Sequence, residues 1–114
     1  MGTNYYAVRT RPTVQEPIHI GKSSSGWLFL FQRQFNSRAM WDTFEQLKTW
    51  LKVHTVDKHD YVIMNEYDEI VPYDEFIEHV NEKQSDTDCK FNPENFRYNV
   101  KNVGGYRFTD QEFR

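Results

Sequence analysis

The sequence predicts an α+β fold: a single domain with a mostly antiparallel sheet and two helices packed on it. Three observations carry that expectation. Short β-prone runs recur along the chain, several of them alternating, as half-buried strands do. Two stretches place apolar residues at helical spacing. The order strands, helix, hairpin, helix, strand is that of an α+β domain. The 114 residues suit one domain. Nine Phe, seven Tyr and three Trp give a 17% aromatic content, so the core is built from a few large side chains.

Each element has its own signal. Asn4–Arg9 is a first strand, with Tyr5, Tyr6 and Val8 favouring extended backbone. A loop bounded by Pro12 and Pro17 follows. Ile18–Gly21 and Trp27–Gln32 form a hairpin around a Ser/Gly-rich loop, Lys22–Gly26. Trp27, Phe29 and Phe31 share one face of the return strand, and Leu28 and Leu30 the other, which suits a central strand covered on both sides, or one with a side covered by a partner. Ser37 is placed to cap a helix over 38–53, whose stripe is Met40, Phe44, Leu47 and Leu51. Tyr61–Met64 and Glu69–Val71 flank a polar turn. Pro72 then introduces a helix over 73–83, with Tyr73, Phe76, Ile77 and Val80 on its apolar face. Residues 84–103 carry no clear periodicity, and Tyr106–Phe108 is a last short strand.

Charge is segregated. Residues 1–56 hold seven Lys/Arg against three acids (+4), residues 57–88 two Lys against eleven acids (−9), and residues 89–114 five Lys/Arg against three acids (+2). The sum is −3, and a mean hydropathy of −0.85 marks a very polar surface. Such asymmetry steers partners through its field. The start MGTNYYAVRTRP has no apolar signal core, and no apolar run could span a bilayer. One cysteine, Cys89, excludes an internal disulfide and suits a reducing cytoplasm.

No catalytic constellation emerges. Gly21-Lys22-Ser23 resembles the end of a phosphate loop, but Glu16 stands where the first glycine belongs and β-prone residues follow instead of a helix. His19, His54, His59 and His79 lack metal-ligand spacing, the acids at 66–78 lack a calcium-loop pattern, and no cofactor is expected. If the chain were an enzyme, His19, Lys22 and Ser23 would be the first residues to test.

The segments MGTNYY, IHIGKSSSGW and YRFTDQEF together resemble a family of small proteins encoded by tailed bacteriophages and prophages. The resemblance covers the N-terminal third and the last ten residues. Many members carry a C-x-x-C pair between the first strand and the glycine-lysine-serine element. Val8–Pro17 here has no cysteine, so that metal knuckle is absent. The resemblance implies a phage accessory protein in the host bacterial cytoplasm.

The expected function is therefore binding without catalysis. The partner would be a bacterial host protein, such as a defence or toxin–antitoxin component, that the chain inhibits or that senses it. Lys22, Trp27, Tyr67, Asp68, Glu69, Asp74 and Glu78 are the candidate binding residues, because aromatic anchors and complementary charge characterise interfaces. The alternative is nucleic-acid binding through the basic residues of the N-terminal half, among them Arg9, Arg11, Lys22, Arg33 and Arg38.

Overall fold

The computed structural model describes residues 2–10, 16–24, 28–35, 39–85, 100–103 and 106–109. Its elements are β1 (Gly2–Arg9), β2 (Ile18–Ser24), β3 (Leu30–Gln32), β4 (Gln34–Phe35), β5 (Met40–Trp41), α1 (Phe44–Leu51), a π-helical segment (Lys52–Asp57), β6 (Tyr61–Asn65), β7 (Ile70–Val71), α2 (Tyr73–Ser85), β8 (Val100–Val103) and β9 (Tyr106–Thr109). Seven strands form one sheet in the order β7-β6-β1-β2-β3-β9-β8. Every neighbouring pair is antiparallel except β3 and β9, which run parallel. This is the expected α+β architecture. β4 and β5 make a separate two-stranded ribbon.

Aromatic rings join the helices to the sheet. Phe29 and Phe31 lie two residues apart and so share a face. Phe76 of α2 meets Phe29 edge-on, with centroids 5.6 Å apart. Phe44 of α1 packs 5.4 Å from Phe31, and Phe108 stacks on the same ring at 5.1 Å. Both helices therefore cover one side of the sheet. Leu47, Leu51, Ile20, Ile63 and Val80 belong to the same buried cluster.

The first helix starts later than its spacing suggests. Met40 falls in the right period by coincidence. It belongs to β5, where it pairs with Phe35 and is exposed. Trp41 points the other way, is fully buried, and donates its Nε1–H to the Gln32 carbonyl at 2.8 Å. The N-cap is Thr43, whose Oγ1 accepts the Gln46 N–H at 3.2 Å. The Gln46 side chain reaches back in turn to accept the Asp42 N–H at 2.9 Å, in the manner of a capping box. Ser37 and Arg38 lie outside the described residues.

The hairpin also departs from expectation. β2 runs through Lys22 and Ser23 to Ser24, pairing along its length with β1. Lys22 is thus a half-buried strand residue between Asn4 and Leu30, not a tip residue. Gly21 is required for space: a Cβ there would meet the Leu30 carbonyl oxygen and, at 2.5 Å, the Phe29 ring. Ser23 is likewise a strand residue. Its hydroxyl lies 2.9 Å from Nε2 of His79, tying α2 to the sheet.

One cation among the described residues is buried. Arg107 of β9 is 5% exposed, and its Nη1 donates to the Leu28 carbonyl at 2.6 Å. Burial lowers its pKa to about 10, so it stays charged at neutral pH. No helix among the described residues is long and apolar enough to cross a membrane.

Candidate functional site

The β6–β7 turn is held in place by hydrogen bonds from both side chain and backbone. Asn65 closes it: its Oδ1 accepts the N–H groups of Tyr67 (2.9 Å) and Glu69 (3.1 Å), and its Nδ2 donates to Glu69 Oε1 at 2.8 Å. The backbone adds Asp68 N–H to the Asn65 carbonyl at 3.2 Å and Asn65 N–H to the Glu69 carbonyl at 3.0 Å. Asp68 takes φ of 61°, in the left-handed region that Asp tolerates better than most residues. The turn is also anchored sideways. Glu66 Oε1 accepts the Asn4 N–H at 2.7 Å, and Asn4 Oδ1 lies 2.9 Å from Nε2 of His19. His19 stacks on Tyr6, with centroids 5.1 Å apart. The side chain of His19 thus lies on the strand face opposite buried Ile18 and Ile20, as alternation requires.

This scaffold displays two large apolar side chains. Tyr67 is 63% exposed and Ile70 is 65% exposed. Glu66, Asp68 and Glu69 stand in the turn itself, and Asp74, Glu75 and Glu78 follow on α2, all exposed. Ile70 pairs with Met64, whose side chain points away from buried Ile63, so Ile70 lies on the sheet face opposite α2. Asp74 and Glu78 are four residues apart on one helix face. Among the described residues, none of these six carboxylates forms an ion pair. Their field reaches inward: burial first, and then the Glu69 carboxylate, raise the pKa of Tyr5.

The structure therefore gathers most of the expected binding residues. Tyr67, Asp68 and Glu69 form one turn, and α2 starts close behind it with Asp74. Lys22 reaches the same end of the sheet, because it pairs with Asn4 and Asn4 is bonded to Glu66. Two strand spacings, about 10 Å, separate its backbone from the turn. Trp27 lies outside the described residues, as does Cys89. Ile70 was not among the expected residues. Its signal was present in the sequence: an apolar side chain on a two-residue edge strand beside a polar turn has little to cover it.

Among the described residues, the basic side chains do not converge. Arg9 lies over the Tyr61 ring at 5.8 Å, at the far end of β1. The partner of Lys22 on β1 is Asn4, five residues away from Arg9, or about 17 Å along the strand. Arg33 is engaged by Asp42 at 3.9 Å and by the Phe35 ring at 5.4 Å. Arg11 and Arg38 lie outside the described residues.

Two histidines have partners with chemical potential. The His79–Ser23 contact has nucleophile–base reach, and burial, aided by Lys83, lowers the His79 pKa and keeps the ring neutral. Among the described residues no group orients the other ring nitrogen of His79, so the third member of a catalytic arrangement is not formed there. His54 has a carboxylate partner, Asp60. No group of three His, Cys, Asp or Glu side chains among the described residues could hold a metal. No protein-family model, curated protein or solved structure matches the chain.

Proposed function

We propose that the chain is a bacteriophage accessory protein that acts by binding a bacterial host protein, in the host cytoplasm and without catalysis, through the acidic end of its sheet. The supporting observation is the Asn65-closed turn, which holds exposed Tyr67, with exposed Ile70 on the strand that follows, beside turn carboxylates that form no ion pair among the described residues. The phage setting rests on the resemblance of MGTNYY, IHIGKSSSGW and YRFTDQEF to the phage family. An aromatic anchor on a preordered turn loses little conformational freedom on binding. The surrounding carboxylates would speed association with a basic partner surface and orient it.

The test is capture from a bacterial lysate by wild-type protein and by two double variants. The account expects one stoichiometric host protein, captured by wild type and by Phe35→Ser/Met40→Ser. Tyr67→Ala/Ile70→Ser should not capture it. Equal capture by both variants would place the interface elsewhere. Capture of nucleic acid alone, released steeply by salt, would favour the basic-residue alternative.

A further inference from the structure

A second unusual region lies at the end of α1, outside the acidic end. Lys52–Asp57 continue the helix as a π-helix, a wide turn that is rare and concentrated at functional sites. The Lys58 N–H reaches back to the Val53 carbonyl at 2.8 Å. The Thr55 hydroxyl donates to the Leu51 carbonyl at 2.6 Å. His59 then takes φ of 57°, a backbone region that residues with a Cβ resist. Together these bends let Asp60 fold back, so that its carboxylate oxygens lie 3.0 and 3.1 Å from Nδ1 of His54.

In the neutral imidazole, a carboxylate on Nδ1 sets the tautomer: Nδ1–H donates to Asp60, and Nε2 is then an acceptor. Among the described residues Nε2 makes no hydrogen bond. The ring is also clamped. Trp50 lies 4.2 Å away centroid to centroid, and is itself held by Trp41 (5.2 Å) and Tyr61 (5.0 Å).

Trp50 and His54 line an open groove of about 480 Å³, together with Met40, Glu45, Gln46, Thr49 and Val53. That volume falls within the range of roughly 300–1,000 Å³ typical of small-molecule sites. The walls are an indole, a thioether and an isopropyl group, suited to a flat ring. The polar groups are more specific. Gln46 spends its carbonyl on the Asp42 N–H, which leaves its amide NH2 as a donor. His54 Nε2 is an acceptor, and the Thr49 hydroxyl is both. Glu45 is engaged by Lys48 at 3.1 Å, so the rim offers hydrogen bonds more than net charge.

A neutral planar ring with donor and acceptor groups along one edge meets all of these demands. The geometry points to a binding site for a nucleobase, as the free base or nucleoside, stacked in the groove with its edge against His54 and Gln46. This is independent of the acidic end and of the basic residues considered for nucleic-acid binding.

The test is titration of the full chain with adenosine and cytidine, followed by amide and tryptophan Nε1 chemical shifts. Indole (donor only) and toluene (neither) are the comparison ligands. Saturable binding is expected for at least one nucleoside, with shifts centred on Trp50 and His54, and weaker binding of both comparison ligands. His54→Phe should weaken it roughly tenfold, the worth of one hydrogen bond. Thr49→Arg, on an exposed helix position, should fill the groove and abolish binding with core shifts unchanged. It should leave Tyr67-dependent capture of a host protein intact. No saturable nucleoside binding up to about 10 mM, equal binding of toluene, or binding unaffected by Thr49→Arg would overturn the assignment.

Discussion

Two exposed apolar pairs, nearly equal in exposure, sit in opposite electrostatic settings. On the β4–β5 ribbon, Phe35 and Met40 face each other as strand partners and are 66% and 56% exposed. Arg33 lies over Phe35 and pairs with Asp42, so charge beside that pair is cancelled locally. At the acidic end, Tyr67 and Ile70 are as exposed, but the carboxylates of the turn and of the start of α2 form no ion pair among the described residues. Exposure alone therefore does not distinguish the two pairs. What separates them is a preordered turn and acidic side chains without an ion-pair partner among the described residues, the two features on which the proposed binding role rests.

The comparison presupposes one rigid body beneath both pairs, and that is where the largest effect is expected. Phe31 contacts rings from β9 and α1 as well as Phe29. Phe31→Ala should cost about 3–5 kcal/mol in denaturant unfolding and degrade both surfaces together. Gly21→Ala should cost about 1–3 kcal/mol, as an overpacked site does, because Leu30 backbone and the Phe29 ring occupy the space. A harmless Gly21→Ala would show that β2 and β3 are less closely apposed than described.

Surface changes should separate binding from stability. Tyr67→Ala should lower affinity for the captured host protein by at least tenfold, about 1.4 kcal/mol, while unfolding midpoints stay within about 0.5 kcal/mol of wild type. Phe35→Ser should leave affinity unchanged. Asp74→Asn/Glu78→Gln should slow association mainly at low salt and flatten its salt dependence.

The smallest expected effect concerns pH. Burial, aided by Lys83, lowers His79 below 6.5, with Glu82 opposing. As pH falls, the unfolded chain takes up this proton first, so the contribution of His79 is full above about 6.5 and shrinks as pH drops below it. Stability of wild type should therefore fall more between pH 7 and 5 than stability of His79→Gln. An identical slope in both would show that His79 is not held as described.

The legible parts of the fold were those with local signals. β6, its turn, β7 and α2 read directly, because alternation, Asn65-to-Asp68 turn chemistry, Pro72 and an amphipathic stripe all agree there. α1 was misread at its start because Met40 mimics helical period, although Thr43-Phe44-Glu45-Gln46 carries a capping-box pattern. The Val100–Val103 strand was missed although Gly104-Gly105 before Tyr106 is a hairpin signal. The parallel β3–β9 pairing joins residues 77 apart, such as Leu30 and Arg107, and has no local signature. The acidic end was legible as charge, but not the Asn65 and Asn4 bonds that shape it. The His54–Asp60 pair was not legible, since a six-residue separation matches no helical face and depends on the π-helix and the left-handed His59.

The most direct measurement is photocrosslinking from single positions. A photoreactive phenylalanine analogue would replace Tyr67 in one protein and Phe35 in another, each mixed with host lysate under identical light. The account predicts one dominant crosslinked host protein from position 67, suppressed by raised salt, and none from position 35. The same host protein crosslinked equally from both positions, or only from position 35, would contradict it.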